Sequence, residues 1–372
     1  MMNSKQVSGL IKAVGHKRTV LVEGPAGSGK TSIHAALARD PQFKGFYCPK
    51  PIDCTQLSDG SVFMPDIDRS RGLSRELPNE RFGVHEENHK GIPGARPVLL
   101  CLDEIAKTRQ FIKDILAPIV YERRIGQYEL PEGSVVFACT NLSEEGLGDS
   151  MQAHLRNRIT IVQMRNPTQQ EWVSDFAIPQ GLDELVIAAT HQYPLVFDSF
   201  TDYLPGGRFA SKTLRKDNPY IQDPHDAAQD QVVTPRSLHS ASDIMLNRAG
   251  LDEDTLTQAL AGTLGAPFAA NIMSLMRFGN MLPDYERVVA DPLKTPLPTN
   301  PTACIVQVFQ FIKRAGTKEE AEACSVYVSR MVGEMKALFV NSVANSSGGT
   351  CGRFAISATF ALLLKDNKAF AV

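Results

Sequence analysis

The chain has 372 residues, of which 43% are hydrophobic and 22% charged, with a formal net charge of -2. That composition describes an ordinary globular protein long enough for two or three compact units. The near-balanced charge excludes a strong whole-molecule footprint for nucleic acid, although a local basic surface is compatible with it.

Met1 to Gly15 lacks the apolar core of a signal peptide, and the most apolar run, Phe354 to Leu364, is well short of a membrane span. The seven cysteines are odd in number and scattered, with no C-x-x-C pair, which argues against a disulfide framework or a zinc ribbon. A soluble, cytoplasmic protein with reduced thiols is expected.

Thr19 to Glu23 is a β-rich apolar run followed at once by a glycine-rich turn and a helical stretch to Arg39. Ile52 to Cys54 reads as a short second strand. Pro97 to Leu102 and Val135 to Cys139 are continuous apolar runs, as expected of strands buried on both faces of a parallel sheet. Phe111 to Val120 has helical spacing, and Ile159 to Val162 closes the set. Strands alternating with helices over residues 1–165 predict a parallel α/β sheet flanked by helices.

Between the second and third strands lies a long insertion, about Asp59 to Arg96, with seven acidic against six basic residues. That balance predicts a solvated loop or a small hairpin element and not a cationic groove. After Pro167 the pattern turns helical over Gln169–Ile178, Leu182–Gln192, Leu238–Arg248 and Thr255–Leu264. Tyr203 to Val232 is polar and reads as a long loop, and Asp291 to Pro301 as a linker. Thr317-x-x-Glu320 is a capping-box pattern opening a further helix. The expected division is an α/β unit over 1–165, a helical lid over 166–290 and a helical C-terminal extension over 291–372.

Gly24-Pro25-Ala26-Gly27-Ser28-Gly29-Lys30-Thr31 satisfies G-x-x-x-x-G-K-[ST]. Such glycines let the backbone wrap a phosphate chain with its N–H groups pointing inward, and the helix that follows adds its positive end. Lys30 is then placed to reach the β- and γ-phosphates of ATP, and Thr31 to offer its hydroxyl to Mg²⁺. The strand from Val98 to Leu102 ends in Asp103 and Glu104. The carboxyl ends of parallel strands meet the ligand, so Asp103 falls beside Mg²⁺ and Glu104 suits a general base acting on water.

A P-loop, a D-E pair, a strand ending in Thr140-Asn141 and then Leu155-Arg156-Asn157-Arg158 together resemble the AAA+ superfamily in order and spacing. The resemblance implies that Asn141 is the sensor-1 residue holding the lytic water. Arg158, or else Arg156, is implied to be the arginine finger that a neighbouring subunit inserts. Thr234-Pro235-Arg236-Ser237 is similar to the sensor-2 motif, with Arg236 on the first turn of a lid helix. Within the superfamily the chain resembles the MoxR-like and dynein-related branch, on the long insertion, the Leu-Arg-Asn-Arg region and the T-P-R-S signature. That likeness covers about Thr19 to Arg248. It implies a homo-oligomeric ring, a hexamer, that remodels a client, with a von Willebrand factor A-type partner.

A nucleic-acid motor or DNA-processing ATPase is the alternative, and the balanced charge of the insertion counts against it. A nucleotide-binding scaffold without turnover would not need both Glu104 and Asn141. His85-Glu86-Glu87-Asn88-His89 matches the zinc-peptidase pattern H-E-x-x-H, but Gly83, Gly91 and Pro93 leave room for barely one helical turn.

Overall fold

A computed structural model describes residues 1–142, 157–226, 229, 231–279, 282–346 and 349–367. The chain divides into two compact units, Met1–Asn166 and Pro167–Val372.

The first unit is built on a five-stranded parallel sheet. Its strands are β1 (Val20–Gly24), β2 (Ile52–Asp53), β5 (Leu99–Asp103), β8 (Val135–Asn141) and β9 (Thr160–Gln163), in the order β2-β5-β8-β1-β9. Every residue of β8 is buried, which explains its unbroken apolar run. Alternate side chains serve opposite faces. Val20, Val22, Leu99, Cys101, Phe137 and Cys139 pack with Val7 and Ile11 of α1 (Ser4–Val14) and with Ile33 and Leu37 of α2 (Ser32–Ala38). On the other face Leu21, Leu100, Leu102, Val136 and Ala138 pack with Ile112, Leu116 and Ile119 of α3 (Gln110–Glu122). Truncating a side chain as buried as Leu100, to Ala, costs about 2–5 kcal/mol.

Helix α1 is an element that the periodicity argument passed over. Its start is marked by a reciprocal cap in which Asn3 accepts from the Gln6 amide and Gln6 accepts from that of Asn3. The insertion carries an antiparallel hairpin, β3 (Phe63–Asp68) paired with β4 (Leu73–Pro78). A second small hairpin pairs β6 (Arg124–Ile125) with β7 (Tyr128–Glu129).

The second unit is helical. One hydrophobic core runs through it from Trp172 to Leu363, shared by the segment expected as a lid and the one expected as an extension. Gln169–Trp172 begins as α-helix and continues as a π-helical turn over Val173–Ala177, where a single helix was expected. The capping box at Thr317 and Glu320 opens the helix Lys318–Ser329. The polar stretch after Tyr203 is not featureless: Phe200, Tyr203, Leu214 and Ile221 form a small core of their own. The proline-rich segment before Pro301 is pinned, because Tyr327 donates to the Pro296 carbonyl at 2.6 Å and Arg330 to those of Pro292 and Thr295. No helix among the described residues is long and apolar enough to cross a membrane.

Candidate nucleotide site

The glycine-rich loop leaves the carboxyl end of β1 and leads into α2. Gly27 and Gly29 take φ of 73° and 91°, a region that side chains rarely adopt, so the loop's path requires glycine there. At Gly24 the demand is one of space, because an added Cβ would lie 2.8 Å from the Met164 carbonyl oxygen. Ser28 and Lys30 are buried at 7% and 6% exposure. Lys30 Nζ donates to the carbonyls of Gly24 and Pro25, each at 2.7 Å, and to Asn141 Oδ1 at 2.8 Å.

Strand order makes that last contact possible. β8 lies between β1 and β5, so its final residue, Asn141, falls between the glycine-rich loop and the Asp103-Glu104 pair. The Asn141 amide bridges the two, accepting from Lys30 and donating through Nδ2 to Glu104 Oε1 at 3.1 Å. Lys30 only donates and carboxylates only accept, so this network fixes which way the amide faces. Thr31 Oγ1 donates to Asp103 Oδ2 at 2.7 Å. Residues 37 to 111 positions apart thus converge in one cluster at the carboxyl edge of the sheet.

Glu104 has a left-handed backbone, with φ of 53°. For a non-glycine residue this is a strained conformation, of order 1–3 kcal/mol. It is held where the strand breaks away: the Glu104 amide donates to Asp103 Oδ1, and the next amide, that of Ile105, donates to the Cys139 carbonyl on β8. Lys107 Nζ lies 3.2 Å from Glu104 Oε2, close enough for ion pairing though not directed as a hydrogen bond. Lys107 was missed in the sequence. Its spacing, three residues after the glutamate, was the available signal.

Arg158, expected to act on a neighbouring subunit, is not part of this cluster. Arg158 precedes β9, and Thr160 of β9 is registered against Val20, the first residue of β1. Arg158 therefore stands at the amino edge of the sheet, opposite the loop, exposed, with its guanidinium over the Tyr121 ring. Arg236 belongs to the second unit and is exposed on the first turn of Pro235–Leu246. Thr234 caps that helix by accepting from the Ser237 amide at 3.0 Å. Arg156 lies outside the described residues. The His85–His89 segment is a tight turn closed by a bridge between His85 and Asn88, so its histidines do not share a helical face.

No family model and no curated protein matches this chain. Among solved structures it is similar to NtrX from Brucella abortus in complex with ATP, at 14% identity and a TM-score of 0.37, covering 100% of this chain and 69% of that one. A RuvB mutant from Thermotoga maritima matches at 14% identity and a TM-score of 0.35, covering 78% and 75%. The Hsp104–ADP complex of S. cerevisiae matches at 13% and 0.31, covering 100% and 48%. These likenesses are remote.

Proposed function

We propose that this chain is a Mg²⁺-dependent ATP hydrolase of the AAA+ type, MoxR-like, working in the cytoplasm as a homo-oligomeric ring that remodels or activates a client protein. The observation that carries this reading is the bridge from Lys30 through Asn141 to Glu104, beside the Thr31–Asp103 pair. It joins a phosphate-binding cation, a water-positioning amide and a carboxylate base in one polar cluster.

The fit to a nucleotide rests on three features. The backbone of Gly24 to Lys30 is a glycine-dependent cradle. Ser28 Oγ within it is buried without a protein hydrogen-bond partner, as is Thr140 Oγ1 beside Asn141. Thr31 and Asp103 offer a hydroxyl and a carboxylate 2.7 Å apart, hard oxygen donors of the kind Mg²⁺ takes alongside phosphate and water. When bound, the metal neutralises charge on the phosphates.

In this reading Lys30 binds the β- and γ-phosphates, and Asn141 orients water toward the γ-phosphorus. Glu104 takes a proton from that water as the new P–O bond forms and the bond to the bridging oxygen breaks, giving ADP and phosphate. Arg158 supplies positive charge to the site of the next subunit, and Arg236 senses the nucleotide from the helical unit. The ring is a hexamer, and a von Willebrand factor A-type protein is the partner that the MoxR likeness suggests.

Two variants test the assignment together. Lys30→Ala should lose ATP binding, measured by titration with a fluorescent ATP analogue. Glu104→Gln should bind normally and lose most turnover, because a carboxamide cannot take the proton. Wild-type turnover by Glu104→Gln would remove the base from the mechanism.

A further inference from the structure

At the amino edge of the sheet the Arg158 guanidinium lies 5.6 Å from the centroid of the Tyr121 ring. Among the described residues no carboxylate pairs with Arg158. The difference between an aromatic and an acidic partner matters. A carboxylate would neutralise the guanidinium and compete with a phosphate for it, whereas a ring face holds the cation and leaves its charge and its N–H fork available.

The ring itself stands on a fixed platform. Tyr121 is the penultimate residue of α3 and packs against the core beneath the sheet. Burial pushes its phenol up to about 12. One residue beyond the helix, Arg123 takes the left-handed conformation, with φ of 59°. Its guanidinium donates to Thr19 Oγ1 at 2.6 Å, to the Val120 carbonyl at 2.8 Å and to the Gly15 carbonyl at 3.0 Å. Those bonds tie the end of α3 to the start of β1 and the end of α1. Thr19 adds its own bond to the Val120 carbonyl at 2.6 Å.

We propose that Tyr121 is a positioning residue for Arg158, holding an otherwise exposed, many-rotamer side chain at the edge that faces the phosphates of the neighbouring subunit. The inference rests on the reading of the chain as a ring ATPase with Arg158 acting in trans. The ring face is the working part, and the hydroxyl has no role in it.

The test compares Tyr121→Phe, Tyr121→Leu and Arg158→Ala in the full-length assembled protein, following kcat, KM for ATP and particle size. Tyr121→Phe should stay within about 2-fold of wild type, because the π face is retained. Tyr121→Leu, which keeps an apolar filler, should lower kcat about 3- to 30-fold with KM and ring size unchanged. In an Arg158→Ala background the Leu substitution should produce no further loss, since the interaction is already gone. If Leu prevents folding, Tyr121→Met is carried through the same comparison.

A fully active Tyr121→Leu beside an inactive Arg158→Ala would overturn the seat and leave the ring mechanism standing. So would a Phe variant as impaired as Leu, or a Leu effect that persists at full size without Arg158. An active Arg158→Ala would instead remove the reading on which the inference rests.

Discussion

Arg158 stands on the wrong edge of its own sheet to serve the nucleotide site proposed on the same chain. β1 and β9 run parallel with Val20 opposite Thr160, and the glycine-rich loop begins at Gly24. At about 3.3 Å per residue the two edges are roughly 13 Å apart along the strands, before the residues of either loop are added. Arg158→Ala should therefore bind ATP yet turn it over about 10³–10⁵-fold more slowly, the range such arginines supply in related P-loop enzymes. Lys30→Ala should also be inactive, for a different reason. Mixing the two gives the decisive measurement. A productive interface needs an intact loop from one subunit and an intact Arg158 from its neighbour. In randomly mixed rings at equal ratio about a quarter of interfaces have both. Phosphate release should peak there near a quarter of the wild-type rate and fall on either side as the product of the two fractions. Exchange into common rings is confirmed by energy transfer between labelled subunits. A flat, near-zero profile despite exchange would refute action in trans.

Other expectations concern stability and metal. His34 is buried with Nε2 3.2 Å from the Leu99 carbonyl, and burial holds its pKa below 6.5. Below pH 6.5 the unfolded chain takes up a proton that the folded chain resists, so stability present above 6.5 falls with pH toward the lowered folded-state value. The loss in Tm between pH 7.5 and 5.5 should shrink in His34→Gln, and an unchanged loss would exclude this histidine. His191, also lowered by burial, contributes in the same direction. Asp183 is fully buried, caps the Leu185 amide and accepts from Arg248 at 2.7 Å, while burial foremost, then Glu184, pushes its carboxyl up. Asp183→Ala should destabilise by about 2–3 kcal/mol, allowing for the partial exposure of Arg248, and Asp183→Asn by less because the cap survives. Equal shifts in urea midpoint for the two would contradict that division. His85→Ala with His89→Ala should leave zinc content and ATPase rate unchanged, and stoichiometric zinc lost in this double variant would revive the peptidase motif.

The local part of the site was legible in the sequence, and the long-range part only through order. Gly24 to Thr31 declares its own loop geometry, and two apolar runs end where Asp103, Glu104 and Asn141 stand. What no spacing rule supplies is sheet order. That Asn141 bridges Lys30 to Glu104 depends on β8 lying between β1 and β5. The seat under Arg158 was hidden for the same reason, since Tyr121 and Arg158 come from different elements and meet only once α3 and β9 are placed. Helix α1 was missed through a short-range signal, the Asn3–Gln6 cap, that was there to be read. The hairpin of β3 and β4 was one of two expectations for the insertion, the other being a solvated loop, and its register was set by pairing that the charge count could not reveal.

The left-handed backbone at Glu104 sets folding and chemistry against each other at one position. Glycine adopts φ of 53° freely, so Glu104→Gly should be more stable than Glu104→Ala, by about 1 kcal/mol, though both lose the proposed base and its bond to Asn141. Among residues unable to act as the proposed base, a screen for thermal tolerance alone would favour glycine, whereas a screen for turnover would keep a side chain that the backbone disfavours. The gap between the glycine and alanine variants is thus a thermodynamic signature of that conflict, readable in a melting curve without any substrate present.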